Sequence, residues 1–252
     1  MRLTRVFVDA PLGPGEHVTL SGGAGTHLAR VLRLRPGDAC VLFNGRGGEY
    51  SAVIDGIRGA SVLAVVGAHC DAERESPLAL TLAQGVSRGE RMDLVVQKAT
   101  ELGVTRIAPL LCERSVVRLD EQQARRRREH WQAIAIGACE QSGRNRVPEV
   151  LAPMPLPEFL RESSDDALPP GAAGALRIVL SPAGTTRLPA LPRPAPAVTV
   201  LIGPEGGLAE SEHQSAAAAG FLALRMGPRI LRTETAAIAA LALLQRELGD
   251  LS

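Results

Sequence analysis

Over residues 1–70 apolar positions come in short runs, alternating with polar ones and broken by Gly, Pro and Asp turns. The runs TRVFV, HVTL, ACVLF, EYSAVI and SVLAVV each have strand length, and RPGD and NGRGG between them are turn sequences. Several short strands at this spacing predict a small β-barrel. HLARVLRLR breaks the alternation. Leu28, Val31, Leu32 and Leu34 fall on one face of a short helix, with Arg30, Arg33 and Arg35 on its rim. HCDAERESP is polar and reads as a linker.

From Leu78 the period changes. Apolar runs LALTLAQG, RIAPLL, RIVLSP, VTVLIGP and FLALRMG alternate with helical stretches, which predicts an α/β domain with a largely parallel sheet. Ser87 to Leu102 is the clearest helix. Ser87 and Glu90 have capping-box spacing, Met92, Val95, Val96, Ala99 and Leu102 share a face, and Gly103 stops it. REHWQAIAIGACEQSG and SEHQSAAAAG predict two more helices. TAAIAALALLQREL predicts a last helix, apolar nearly all round and so buried. Arg161 to Gly174, acidic and rich in Pro and Gly, predicts a surface loop.

Composition adds limits. A chain of 252 residues with 45% apolar and 22% charged residues buries a core and forms one or two domains. Net charge is +1, so no global field marks a polyanion binder. From Arg74 to Val150, however, 13 Arg and Lys face 10 Asp and Glu, and Lys98 is the only lysine. Guanidinium suits phosphate contacts, although an Arg- and Ala-rich bias is also a genomic habit. Arg125 to Arg128 reads as a solvated helix face or as an RNA contact. Cys40, Cys70, Cys112 and Cys139 form no CxxC pair, which fits reduced thiols in a cytoplasm and signals no metal site. The start MRLTRVFVDA carries charge where a signal peptide is apolar, and the longest apolar run, Ala236 to Leu244, falls short of a membrane span.

Three sequences carry candidate chemistry. GVSRG matches G-x-S-x-G between a strand and a helix, the setting of a hydrolase nucleophile. The simpler reading makes Ser87 a helix N-cap. LIGPEGG and GPRILRTETA each follow an apolar strand, at the carboxyl ends where open α/β sheets bind ligands. Gly203, Gly206 and Gly207 free the backbone to touch a ligand, and Pro204 and Pro228 stiffen the turns. Neither is a dinucleotide or P-loop fingerprint. Arg232, Thr233, Glu234 and Thr235 crowd a guanidinium, two hydroxyls and a carboxylate before an apolar helix. One of the threonines serves as its cap, which leaves the other groups for function or for a subunit interface.

LIGPEGG followed by GPRILRTETA resembles the cofactor-binding signature of the SPOUT methyltransferases, and more narrowly the RsmE-type family that methylates N3 of a uridine in 16S ribosomal RNA. The resemblance extends through SRGERMDLVVQKATELGV, ACEQSGRNRVPEV and HLARVLRLRPGD, almost the whole chain. It implies a PUA-like RNA-binding β-barrel over 1–72, and over 73–252 a methyltransferase domain with a trefoil knot, an exception to unthreaded chains. It also implies a homodimer, no membrane, no metal, and 16S rRNA in the assembled 30S subunit as partner. S-adenosylmethionine would lie among Leu180, the loop carrying Ile202, Gly203, Pro204, Glu205 and Gly207, and the loop carrying Met226, Gly227, Ile230, Leu231, Arg232, Thr233 and Thr235. Arg232 would hold the uracil, with Glu205, Glu234 and Glu140 as candidate bases. RNA contacts would come from Arg30, Arg33, Arg88, Arg91, Arg144, Asn145 and Arg146. Family members often carry Ser or Thr where this chain has Ala209, so the following helix is expected to lose that cap or shift it to Ser211. The alternatives are the same fold acting on another RNA nucleoside, or an RNA-binding ribosome assembly factor without activity.

Overall fold

The computed structural model describes residues 3–165 and 175–251. Contacts divide the chain into two compact units, the first running to Glu75 and including Ile136–Val147, the second holding Ser76–Ala135 and the chain from Pro148 on.

In the first unit the five expected strands are present as β1 (Thr4–Phe7), β2 (His17–Leu20), β3 (Ala39–Phe43), β4 (Glu49–Arg58) and β5 (Ser61–Cys70). They pair in the order β1-β3-β4-β5-β2, antiparallel except for β1 on β3. Alternation decides the faces: Cys40 and Leu42, Ala52 and Ile54, and Val62, Ala64 and Val66 all enter one apolar cluster. The stretch expected as one short helix differs. A five-residue helix, α1 (Gly22–Thr26), runs into a π-helical turn at His27–Val31. Only Leu28 of its four apolar residues is buried; Val31 is 65% and Leu32 40% exposed. The wider π turn breaks the 3.6-residue period on which a shared face depends.

HCDAERESP does more than link. Glu75 takes the Arg144 guanidinium on both carboxylate oxygens, and Glu73 takes Arg146 at 2.9 Å. Arg5 donates to Glu49, to the Arg144 carbonyl at 3.1 Å and to Asn145 Oδ1, and lies 4.8 Å from the Phe43 ring centroid. The segment SGRNR is therefore stitched to β1 and to the residues after β5.

The second unit carries a seven-stranded sheet. Its strands are β6 (Ala79–Gly85), β7 (Arg106–Leu111), β8 (Glu149–Val150), β9 (Met154–Pro155), β10 (Leu176–Leu180), β11 (Ala197–Ile202) and β12 (Leu222–Leu224). The order is β12-β10-β11-β6-β7-β8, with β9 also on β7, and all its ladders are parallel. Both faces are covered, so the central strands are apolar throughout. Leu80, Leu82, Val198 and Val200 face a cluster closed by α2 (Arg91–Glu101), α3 (Glu121–Ser142) and α6 (Thr233–Leu248). Ala83, Val179 and Leu201 face another, closed by α4 (Leu156–Asp165) and α5 (Glu210–Ala218). Each fully buried leucine in these layers is worth about 2 kcal/mol of transfer free energy.

Three expectations change, and a fourth, on Ala209, resolves to one of its alternatives. The helix expected from Ser87 begins at Arg91, because Gly89 takes a left-handed φ of +62° and interrupts the turn; Ser87 is buried and its hydroxyl points to the Gly85 carbonyl at 3.4 Å. Neither a capping box nor a nucleophile exposed on an elbow remains. Ala209 is the N-cap of α5 without a side-chain cap bond, so the cap is lost, as one of the two alternatives expected, and does not shift to Ser211; the Ala209 N–H is held instead at 2.8 Å by Glu212, which also takes the Glu113 N–H at 2.8 Å. The last helix is buried along one face only, through Ala237, Ala240, Leu241 and Leu244, while Leu243 is 41% exposed. The loop expected over Arg161 to Gly174 is helical to Asp165; residues 166–174 lie outside the described residues.

Candidate functional site

Because the ladders are parallel, the carboxyl ends of β6, β10, β11 and β12 lie at one edge of the sheet. The chain leaves that edge through Ser181–Pro182, Gly203–Leu208 and Met226–Arg232, and these loops enclose a cavity of about 550 Å³. Gly85 permits the arrangement. A Cβ there would stand 2.4 Å from Pro204 N, so a side chain on β6 would push the β11 loop away. Gly207 supplies the second requirement, a φ of +69° that turns the loop toward α5.

Nearly all the residues expected to hold a cofactor line this cavity. Leu180 comes from β10, Ile202, Gly203, Pro204, Glu205 and Gly207 from β11 and its loop, and Met226, Gly227, Ile230, Leu231, Arg232 and Thr233 from the loop into α6. Thr235 does not; it is exposed on α6. The α6 N-cap is Arg232, without a side-chain cap bond, so neither threonine caps the helix. The Thr233 hydroxyl instead donates to the Gly203 carbonyl at 2.7 Å and accepts from Gln84 Nε2 at 2.9 Å. It ties the two cavity loops to each other and to β6.

The candidate bases are in different situations. Glu205 accepts the Arg88 N–H at 3.0 Å and Arg91 Nη1 at 2.8 Å. Partial burial raises its pKa, but these donors outweigh burial and hold the carboxyl below its ordinary value of 4.5. Glu140 belongs to the first unit and accepts the Phe7 N–H at 3.0 Å. Burial raises its pKa above 4.5 and that bond offsets the effect only in part. Glu234 lines the cavity, and its Oε2 is buried with no hydrogen-bond partner among the described residues. Arg232 lines the cavity too, and its exposed guanidinium has no carboxylate partner among the described residues.

The arginines expected at RNA also separate. Arg30, Arg33, Arg88, Arg91 and Arg146 are exposed, as are Arg125 to Arg128. Arg144 is 3% and Asn145 0% exposed, and both are engaged inside the first unit, Arg144 by Glu75 and Asn145 by Arg5 and the Ala72 carbonyl. A buried, paired guanidinium meets no outside phosphate, so these two stand as structural residues. The sequence reading missed Gln84, Arg114, His213 and Arg229. Of these, Gln84 had a signal, a polar residue closing an otherwise apolar strand.

Known proteins share this arrangement over its full length. Residues 74–245 match the RNA methyltransferase domain family, and residues 20–66 the RNA methyltransferase PUA domain family. The ribosomal RNA small subunit methyltransferase E of Buchnera aphidicola is 32% identical over 251 residues, 100% of this chain and 99% of that one. The protein of the same name from Neisseria gonorrhoeae, solved bound to S-adenosyl methionine, is 37% identical with a TM-score of 0.88, and a Legionella pneumophila protein solved with bound cofactor SAM is 41% identical with a TM-score of 0.92; each covers 100% of both chains. A cavity at the sheet edge, closed by the two glycine-bearing loops and lying within the matched span, thus goes with full-length likeness: this chain belongs to the RNA methyltransferase family that includes ribosomal RNA small subunit methyltransferase E.

Proposed function

We propose that this protein transfers a methyl group from S-adenosylmethionine to N3 of a uridine in 16S ribosomal RNA. The carrying observation is the cavity between the Gly203–Leu208 and Met226–Arg232 loops, with Arg232 and Glu234 uncommitted at its wall. The lining fits the cofactor. Leu180, Ile202, Met226 and Leu231 offer apolar contact, the glycines expose backbone donors and acceptors, and the buried unpartnered oxygen of Glu234 suits a cationic ligand. When bound, S-adenosylmethionine supplies an activated methyl group on a sulfonium.

The residues divide the remaining work. Thr233 and Gln84 fix the spacing of the two loops, which positions the reacting partners. Glu234 takes the proton from uracil N3, and Arg232 faces the negative charge that develops on the ring. Glu205 is tied to Arg88 and Arg91 as an anion and serves the loop rather than the proton. N3 must be unpaired to react, so the target uridine is presented out of its stack. Exposed Arg30, Arg33, Arg88, Arg91 and Arg146 face the RNA in this reading, with the PUA-like domain over 1–72 as an RNA-binding module and the assembled 30S subunit in the cytoplasm as substrate. A homodimer accounts for apolar surface that a monomer leaves in water: Ile230, 84% exposed at the cavity, and Leu243 on α6. A trefoil knot in the 73–252 domain completes the proposal.

The test uses 30S subunits from cells lacking the endogenous uridine methyltransferase. They are incubated with the protein and S-adenosylmethionine, digested, and the nucleosides are analysed by mass spectrometry. N3-methyluridine is the expected product. Its absence from subunits and naked rRNA alike, despite cofactor binding, refutes the assigned substrate.

A further inference from the structure

The charges around the cavity do not balance for the cofactor alone. Arg91, Arg114, Arg229 and Arg232 line it against Glu205 and Glu234. Arg91 and Glu205 are paired at 2.8 Å. That leaves three guanidiniums and one carboxylate. Arg114, Arg229 and Arg232 have no carboxylate partner among the described residues; Arg114 reaches only the Gly206 carbonyl, at 3.5 Å. S-adenosylmethionine is itself cationic overall, with an ammonium and a sulfonium against one carboxylate. Surplus positive charge beside a cationic ligand is unfavourable unless an anion joins them.

We infer that Arg114 and Arg229 form a phosphate clamp at the mouth of the cavity, holding the RNA backbone on either side of the uridine presented to it. This rests on the RNA reading above and adds to it a site that reads backbone rather than base. Arg114 sits in the turn after β7, packed on the β11 loop; Gly206 leaves no room for a side chain there, since a Cβ would meet the Arg114 backbone oxygen and Cβ at 3.0 Å. Arg229 is exposed on the loop into α6. The two guanidiniums thus come from separate elements onto one opening, with donors suited to phosphate oxygens. Such contacts position the substrate and carry no sequence information. They also supply what aromatic residues, 2% of the chain, do not supply by stacking.

The test compares wild type with Arg114→Gln, Arg229→Gln, the double variant and the double Arg→Lys variant. Affinity for polyuridylate and for unmethylated 16S rRNA is measured between about 50 and 200 mM salt, and affinity for S-adenosylmethionine by calorimetry. The clamp predicts that each Gln substitution lowers the slope of log K against log salt by about 0.7–0.9. The double variant loses about 1.4–1.8 in slope. The lysine variant retains the slope, and the Gln variants bind the cofactor at least as tightly as wild type, since they remove positive charge beside a cationic ligand, which also shows that the fold is intact. Weaker cofactor binding with an unchanged RNA slope overturns the inference, because the arginines then face the cofactor. An unchanged slope with intact methyl transfer overturns it as well. Polyuridylate binding does not depend on catalysis. A slope that falls in a protein leaving rRNA unmethylated therefore upholds the clamp and removes only the assigned substrate.

Discussion

Replacing the Thr233 hydroxyl by a methyl group tests whether the two ligand loops are held by one side chain. Thr233 is 7% and Gln84 0% exposed. Valine keeps the shape and removes both hydrogen bonds, the 2.7 Å donation to Gly203 and the 2.9 Å acceptance from Gln84. An orphaned buried polar group costs about 1–3 kcal/mol. Gly203 borders the cavity and is only half-buried, so most of the cost falls on the deeply buried Gln84 amide, whose Nε2 keeps one bond, to the Gly85 carbonyl at 3.0 Å, and whose Oε1 already has no partner among the described residues. The expected loss is about 2 kcal/mol, a fall in Tm of about 4–8 °C for a domain of this size. The loops that enclose the cavity are also no longer tied, so S-adenosylmethionine affinity falls by about tenfold, or 1.4 kcal/mol. Thr233→Ser keeps the hydroxyl and restores affinity while losing a methyl group of packing. Calorimetric titration with parallel thermal melts reads both effects. If valine binds the cofactor as wild type does, or serine is as weak as valine, the hydroxyl does not hold the loops.

Gly85→Ala places a Cβ 2.4 Å from Pro204 N; the β11 loop must move by about 1 Å, which misplaces the reacting groups and lowers kcat by about 100-fold, in single-turnover assays at saturating cofactor. Glu140 binds its proton more tightly folded than unfolded, since burial raises its pKa, so its contribution to stability falls as pH rises from 4.5 through the raised value. Glu140→Gln keeps an acceptor for the Phe7 N–H, so melts show it at least as stable as wild type at pH 7, with any gain gone below pH 4.5; a less stable variant at pH 7 contradicts the sign. Burial holds Cys40 up to about 11 and Cys112 and Cys139 up to about 12, whereas Cys70 is exposed. A thiol-reactive dye should therefore label Cys70 quickly in the native protein and the other three only on unfolding.

What the chain reveals before folding follows from the range of each interaction. The strands were legible because alternation in β3 to β5 and continuous apolar runs in β6 and β11 are local consequences of burial on one face or two. The cavity loops were legible as turns because glycine after a strand marks a turn wherever it lies. Errors arose where a partner lies far along the chain. Arg144 and Asn145 look like RNA contacts in SGRNR, yet their partners are Glu75 and Arg5, 69 and 140 residues away. Ser87 and Glu90 have capping spacing, but the φ of Gly89 overrides it. Arg114 belongs to no motif, and Arg229, although inside GPRILRTETA, has no local feature that sets it apart; only the parallel sheet brings their loops to one edge.

The same point decides between the glutamates. In sequence Glu205 and Glu234 are equivalent, each a carboxylate in a loop at a strand end. Folding places Glu205 within 3.0 Å of a backbone N–H from the turn before α2 and of the guanidinium of that helix's first residue, two donors that stabilise its anion and spend its basicity. Glu234 is the second residue of α6, lines the cavity, and has one oxygen buried with no hydrogen-bond partner among the described residues. Leaving a carboxylate oxygen buried without a donor is a cost that a purely structural residue has no reason to bear. A ligand that brings its own proton or positive charge removes that cost. In the proposed function the burden of the chemistry therefore falls on the carboxylate the fold leaves unsatisfied, and the satisfied one shapes the loop.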